Sequence, residues 1–327
     1  MNQANETNFI YFVIEGISDL PELQVPIFLL VLLIYLITLG GNLTILLLIC
    51  LDRRLRTPMY FFLGNLSVLD MSSTVVTLHK VLLIAITGDK SVSYVACVAQ
   101  LYIFASLIGD ELLLLAAMSY DRYLAICRPL HYHKVMNQRL CCVLAITSWL
   151  LGCLENIPLV VLLSMLTCFR SKQINHYYCD ILPLKEISCS DTSALDLLIF
   201  VSGTFHTSVS FFLTFIPYIF IISCILRISS RVGRRKAFYT CSSHLAVVVL
   251  LYVTLVFQYL RSNAAERLDT NKLFNTAAVP MLNPLIYSLK NKDVKSSLRH
   301  RIKMCGSIKC LKICSSQKIR AMGNSLL

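Results

Sequence analysis

Four groups of residues along this chain have types and spacings that could do chemistry. Asp121-Arg122-Tyr123 sets a guanidinium beside a carboxylate. Such an arginine can be held by its neighbour in one state and released to a partner in another, or it can simply snorkel from a helix end to water. Asn283-Pro284-Leu285-Ile286-Tyr287 puts a proline, which removes a backbone donor and weakens the helix around it, between an amide and a phenol able to swing between partners. Asp70, Asp110, Glu111 and Glu155 are acids inside long apolar runs, where a charge costs about 2.5–3.5 kcal/mol at a helix centre. Asp70 and Glu111 should therefore face the interior of a bundle. The fourth group is Cys97, Cys168, Cys179 and Cys189, whose four thiols allow three pairings. None of this is an enzyme's equipment. There is no phosphate loop, no HExxH and no nucleophile elbow, and His206 and Cys241 stand outside any triad arrangement.

The elements that must position these groups are membrane helices. Of 327 residues 56% are hydrophobic and 15% charged, against about 25% charged in soluble domains. Seven runs approach the roughly 20 apolar residues a span needs: 26–50, 58–78, 97–120, 141–163, 197–226, 237–260 and 273–289. The last is short and carries Pro280 and Pro284, tolerable where neighbouring helices re-satisfy the freed backbone groups. Segment 1–25 precedes the spans, 26–289 forms the bundle, and 290–327 follows as a short amphipathic helix and tail. The first 24 residues contain no Lys or Arg and no signal-peptide pattern, so the first span is expected to act as its own insertion signal. With the N-terminus outside, most of the 30 basic residues fall on the cytoplasmic side beside only Asp52, Asp121 and Asp293, as the positive-inside rule requires. The net charge of +12 then answers to anionic inner-leaflet lipid and a cytosolic partner, not to nucleic acid. Matched pairs of interrupted helices, expected of an inverted-repeat transporter, are missing, which disfavours a transporter or channel.

Five blocks in order carry a resemblance. They are Leu55–Asp70 (LRTPMYFFLGNLSVLD), Met118–Cys127 (MSYDRYLAIC), the loop with Cys168, Cys179 and Cys189, Lys236–Leu245 (KAFYTCSSHL) and Pro280–Leu289 (PMLNPLIYSL). Together they resemble the olfactory (odorant) receptors, a branch of the rhodopsin-like G-protein-coupled receptors, from about Pro21 to Arg299. The family usually has Ala at Ser119, Ser at Tyr239 and Pro217, Gly at Val253, and acid near Arg231-Val232. These departures touch helix-five geometry and activation detail.

The resemblance implies an all-α, seven-transmembrane bundle in the plasma membrane, binding small, mostly apolar volatile molecules. It further implies a stimulatory heterotrimeric G protein and cyclic AMP signalling. Asp121, Arg122, Tyr123, Tyr218, Asn283, Pro284 and Tyr287 would form the switch. The pairings it favours are Cys97–Cys179 and Cys168–Cys189. Asn42, Asp70, Glu111 and Asn283 match a buried polar cluster that holds sodium in this receptor class, a protonated pair without an ion being the alternative. Adjacent residues point about 100° apart on a helix, so one of Asp110 and Glu111 should face elsewhere, toward the ligand cavity; Glu155 has no assigned role. Phe104, Ala105 and Ile108 share one helical face, as do Ser202 with His206, and Tyr252 and Leu255 with Tyr259. These, with Thr276, match the family's odorant site. The aminergic carboxylate position is Phe104 here, so an ammonium ligand is disfavoured. Asn5-Glu6-Thr7 is an N-glycosylation sequence; Asn42-Leu43-Thr44 and Asn65-Leu66-Ser67 also match but lie in spans. Cys305, Cys310 and Cys314 are either palmitoylated or plain thiols.

Overall fold

A computed structural model of the chain describes residues 11–17, 20–260, 269–290, 293–301 and 303, with the side chains at 236, 240, 256–260, 269–276 and 288–290 set aside. Helix one runs Pro21–Leu51 and helix two Pro58–Thr87. Both open on a proline, whose fixed φ and missing N–H suit a first turn. Helix two stops at Gly88 with φ 72°, the left-handed conformation that only glycine adopts without a penalty. Helix three is Tyr94–Cys127, started by Ser93, whose hydroxyl accepts from Ala96 N–H at 3.2 Å.

Helix four is broken where a single span was expected. Its first part, Gln138–Glu155, ends at Asn156, and Ile157–Ser164 resumes it. Pro158 cannot donate to the Leu154 carbonyl, and Asn156 N–H takes that carbonyl instead. Helix five (Ser193–Arg227) and helix six (Arg231–Leu260) both start before the expected limits. Helix seven, Asp269–Lys290, contains Pro280 and Pro284. Six helices are long and apolar enough to cross a membrane, and helix seven contributes the shorter apolar stretch Ala277–Tyr287.

The bundle exterior is apolar: Leu29, Leu33, Leu36, Phe200, Phe205, Phe212 and Ile219 are all more than half exposed. A surface of this kind needs lipid, since soluble monomers rarely leave such patches open to water. Inside, Leu63, Leu66 and Leu69 of helix two pack with Leu114, Leu115 and Met118 of helix three and Tyr287 of helix seven. After helix seven, residues 293–301 form the expected short helix. Val294 and Ser297 are buried while Asp293, Lys295, Ser296 and Arg299 are exposed, the two-faced pattern of an amphipathic helix. Tyr60 Oη bonds Asp293 at 3.2 Å and Arg301 donates to the Leu51 carbonyl at 2.5 Å, tying this helix to the end of helix one and the start of helix two.

The all-α expectation needs one addition. Tyr11–Ile14 (β1) pairs antiparallel with Ser91–Ser93 (β2) and parallel with Gln173–Ile174 (β3). Phe12 and Ile14 point inward and are fully buried. Phe12 meets the rings of Tyr94 and Phe169 edge-on, at 6.0 and 5.0 Å. This sheet closes one end of the bundle, the end bearing the bridged cysteines.

Candidate functional site

At the sheet-covered end, Cys97 of helix three is bonded to Cys179, and Cys168 to Cys189, with Cα separations of 5.3 and 5.2 Å. The first bridge is seated by Gln100, one helical turn below Cys97. Its Nε2 donates to the Val76 carbonyl at 2.6 Å and its Oε1 accepts from Cys179 N–H at 3.0 Å. The loop is thereby clamped over the bundle, and its Tyr178 packs edge-on against Phe104 at 5.3 Å.

The residues proposed for odorant contact fall in different settings. Phe104, Ala105 and Ile108 are half-buried on helix three. Ser202 bonds back to its own helix, at the Leu198 carbonyl, 2.6 Å away. Tyr252 is buried; its hydroxyl donates to Ser210 Oγ at 3.2 Å, and its ring meets Phe211 and Phe215. Leu255 joins the central core. His206 turns to helix four, with Nδ1 2.7 Å from Glu155 Oε2. Tyr259 and Thr276 lie outside the described side chains, and Asn5, Cys305, Cys310 and Cys314 outside the described residues.

Asp110 faces helix four. A β-carbon on Gly152 of helix four would collide with its carboxylate and with the Ser106 carbonyl, so the acid sits directly over that glycine. Gly109 stands in the same relation to Glu155, whose Oε1 would lie 2.6 Å from an added β-carbon. The two glycines make the space for these acids between helices three and four, where Asp110 is buried and Glu155 stays exposed. The physical reason is angular: Asp110 lies about 200° around the helix from Ile108, so both cannot look the same way.

Deeper in the bundle, helices one, two, three and seven meet. Pro284 has no N–H for the Pro280 carbonyl four residues back, and Asn42 Nδ2 supplies the missing donor at 3.1 Å. Gly41 beside it leaves room for the Pro284 ring, which an added β-carbon would meet at 3.0 Å. Asn283 Nδ2 donates to both oxygens of Asp70 at 3.0 and 3.1 Å, and Glu111 is buried beside this pair. Asn283 Oδ1 and Glu111 Oε1 make no hydrogen bond among the described residues. Two carboxylates and a free amide oxygen are hard donors suited to a small hard cation. No cluster of three His, Cys, Asp or Glu able to hold a metal occurs among the described residues.

At the arginine-rich end, Arg122 is held by Asp121 through Nη2 and, at 2.9 Å, through Nε. Asp121 Oδ1 also accepts from Tyr132 Oη at 2.7 Å; burial first, and then this carboxylate, push the Tyr132 phenol above its ordinary pKa. Across the gap to helix six, Tyr218 Oη lies 2.5 Å from His244 Nδ1. Tyr123 packs with Tyr218, Ile221, Ile225 and Cys241. Tyr287 Oη is buried and makes no hydrogen bond among the described residues. Three supports escaped the sequence reading: Tyr132, Gly41 and the Gly109–Gly152 pair. Glycines inside otherwise helical apolar runs were the available signal for the latter two.

A family model described as olfactory receptor matches residues 31–304. Human olfactory receptor 2AP1 is 45% identical over 303 residues, covering 91% of this chain and 98% of its own length. Human olfactory receptor 6C1 is 44% identical over 296 residues, 90% of this chain and 95% of its own. Human olfactory receptor 6C76 is 45% identical over 298 residues, with 90% and 95% covered. With seven helices, the Asp121–Arg122 pair at one end and a disulfide-clamped loop at the other, the chain belongs to the olfactory receptor family, which is G-protein-coupled, odorant-binding and not enzymatic.

Proposed function

We propose that the chain sits in the plasma membrane with its N-terminus outside, binds small, mostly apolar volatile molecules in the outer half of the bundle, and activates a stimulatory G protein to raise cyclic AMP. The observation that carries the coupling half is the doubly held Asp121. It grips Arg122 and is itself gripped by Tyr132, an arrangement with a second state in which Arg122 is free. Odorant contact is assigned to Phe104, Ala105, Ile108, Ser202, His206, Tyr252, Leu255, Tyr259 and Thr276. A ligand against Phe104 presses on Tyr178, and one against Tyr252 presses on the Ser210 bond between helices five and six. Either contact would shift helices relative to one another. Asn283 and Pro284, where helix seven depends on Asn42 for a donor, form the hinge, with Tyr287 as the group released by it.

Asp70, Glu111 and Asn283 would hold a sodium ion in the resting state, the ion neutralising the paired carboxylates. Asn5 is assigned to glycosylation. The test is a cyclic AMP screen of cells expressing the chain at the surface against a diverse odorant panel. A saturable, chain-dependent rise supports the reading; a surface-expressed chain silent across apolar volatiles but answering polar solutes overturns the ligand class.

A further inference from the structure

An open surface cleft of about 490 Å³ lies between the inner ends of helices five and six, lined by Ile225, Leu226, Arg231, Arg234, Arg235 and Phe238. That volume lies within the range of small-molecule sites, roughly 300–1,000 Å³. Arg231, Arg234 and Arg235 stand at i, i+3 and i+4 in the first turns of helix six, so their side chains leave one face of the helix. None of the three forms an ion pair among the described residues, and residues 226–238 contain no Asp or Glu. Like charges at this spacing repel. The three exposed guanidiniums thus form a small unneutralised positive cluster that an anion of several charges would pair with.

The other wall says what carries the anion. Ile225 closes the inner hydrophobic cluster, while Leu226 and Phe238 are 67% and 64% exposed. A soluble phosphate would use the guanidiniums and leave these groups bare. A lipid uses both, its headgroup on the arginines and its glycerol stem against Phe238 and Leu226, at the level where helices leave the bilayer. We propose that this cleft binds an inner-leaflet lipid whose headgroup carries at least two phosphate monoesters, as a bisphosphorylated inositol lipid does. Guanidinium forks match phosphate oxygens two at a time, which favours such a headgroup over a singly charged serine lipid. The inference rests on the proposed orientation, with this end toward the cytosol.

The test uses purified full-length receptor in phosphatidylcholine nanodiscs doped with an inositol bisphosphate lipid, with retained lipid read by native mass spectrometry. Each arginine near an anionic headgroup is worth about fivefold, so the triple variant Arg231→Gln, Arg234→Gln, Arg235→Gln should lose about 100-fold in retention. Three Arg→Lys changes, keeping charge but not the fork, should lose less. Equal thermal midpoints across the set show that folding is intact; if the glutamine variant melts early, the lysine set and Phe238→Ala carry the test. Phe238→Ala should weaken the lipid but not the free inositol phosphate headgroup. Three results overturn the proposal: wild-type retention by the folded triple variant, equal retention of phosphatidylserine at matched charge, or free headgroup binding as tightly as the lipid. Loss of G-protein nucleotide exchange by the triple variant in discs lacking the inositol lipid would assign the cleft to a protein instead. No odorant enters the lipid-binding measurements, so their failure leaves the odorant reading standing, and an odorant-silent receptor leaves the lipid result standing.

Discussion

Replacing Gly41 by Ala should destabilise the receptor, while the same change one residue earlier should not. A β-carbon at Gly41 would lie 3.0 Å from both Cβ and Cγ of Pro284, against a comfortable carbon–carbon distance of about 3.5–4.0 Å. The proline ring cannot rotate away, so helices one and seven must part by roughly half an ångström or more. That stretches the 3.1 Å bond from Asn42 Nδ2 to the Pro280 carbonyl beyond good geometry, and Pro284 offers that carbonyl no replacement. Overpacking costs about 1–3 kcal/mol and a lost bond between membrane helices about 0.6 kcal/mol. Better helix propensity returns up to about 1 kcal/mol, leaving a net loss of about 0.6–2.6 kcal/mol. Nothing lies within 4 Å of a β-carbon at Gly40, so Gly40→Ala should be neutral or stabilising. The assay is thermal unfolding of purified receptor in detergent, beside surface staining of intact cells. Asn42→Ala combined with Gly41→Ala should be less than additive, because both break one bond. Equal midpoints for the two alanine variants would refute the reasoning.

Three further outcomes are expected. Gly152→Ala should abolish surface staining by driving a methyl into the Asp110 carboxylate and the Ser106 carbonyl, and Asp110→Ala in the same chain should restore it in part, since the Ser106 contact remains; no gain at all would remove the Asp110 clash as a cause. Cys97→Ser and Cys179→Ser should each impair surface expression, and the double variant should be no worse than either; an additive loss would contradict a single shared bond. Tyr132→Phe removes one of the two grips on Asp121, a charge-assisted bond of about 1.5–3 kcal/mol. Basal cyclic AMP should rise several-fold in this variant, and an unchanged baseline at equal surface level would remove Tyr132 from the lock.

Much of the bundle was legible because long apolar runs punctuated by charge are a coarse, strong signal. Helix ends were less so. The run 58–78 continues to Thr87 because apolar residues resume at Val81–Ile86 after the polar pair His79-Lys80, until Gly88 ends the helix. The break in helix four was written in Pro158, yet an apolar run on both sides disguised it. β1 was hidden for a different reason. Four residues, Tyr11–Ile14, alternate outward and inward, but all four are apolar, so no alternation is visible until Phe169 and Tyr94 are in place to bury one face. In the site, Asn42, Asp70 and Asn283 could be grouped by type and span, whereas the pairing of His206 with Glu155 depends on which faces helices four and five turn to each other. That rotation follows from Gly109 and Gly152 meeting across helices three and four, a contact no single helix announces.

The most direct test of the account is nucleotide exchange on a purified stimulatory G protein by the purified receptor in nanodiscs, with and without an agonist found by screening. The account predicts that agonist speeds exchange with the wild-type chain, and that Arg122→Ala, folded and still binding agonist, leaves exchange at its unstimulated rate. Agonist-driven exchange of equal speed in the Arg122→Ala receptor would contradict it.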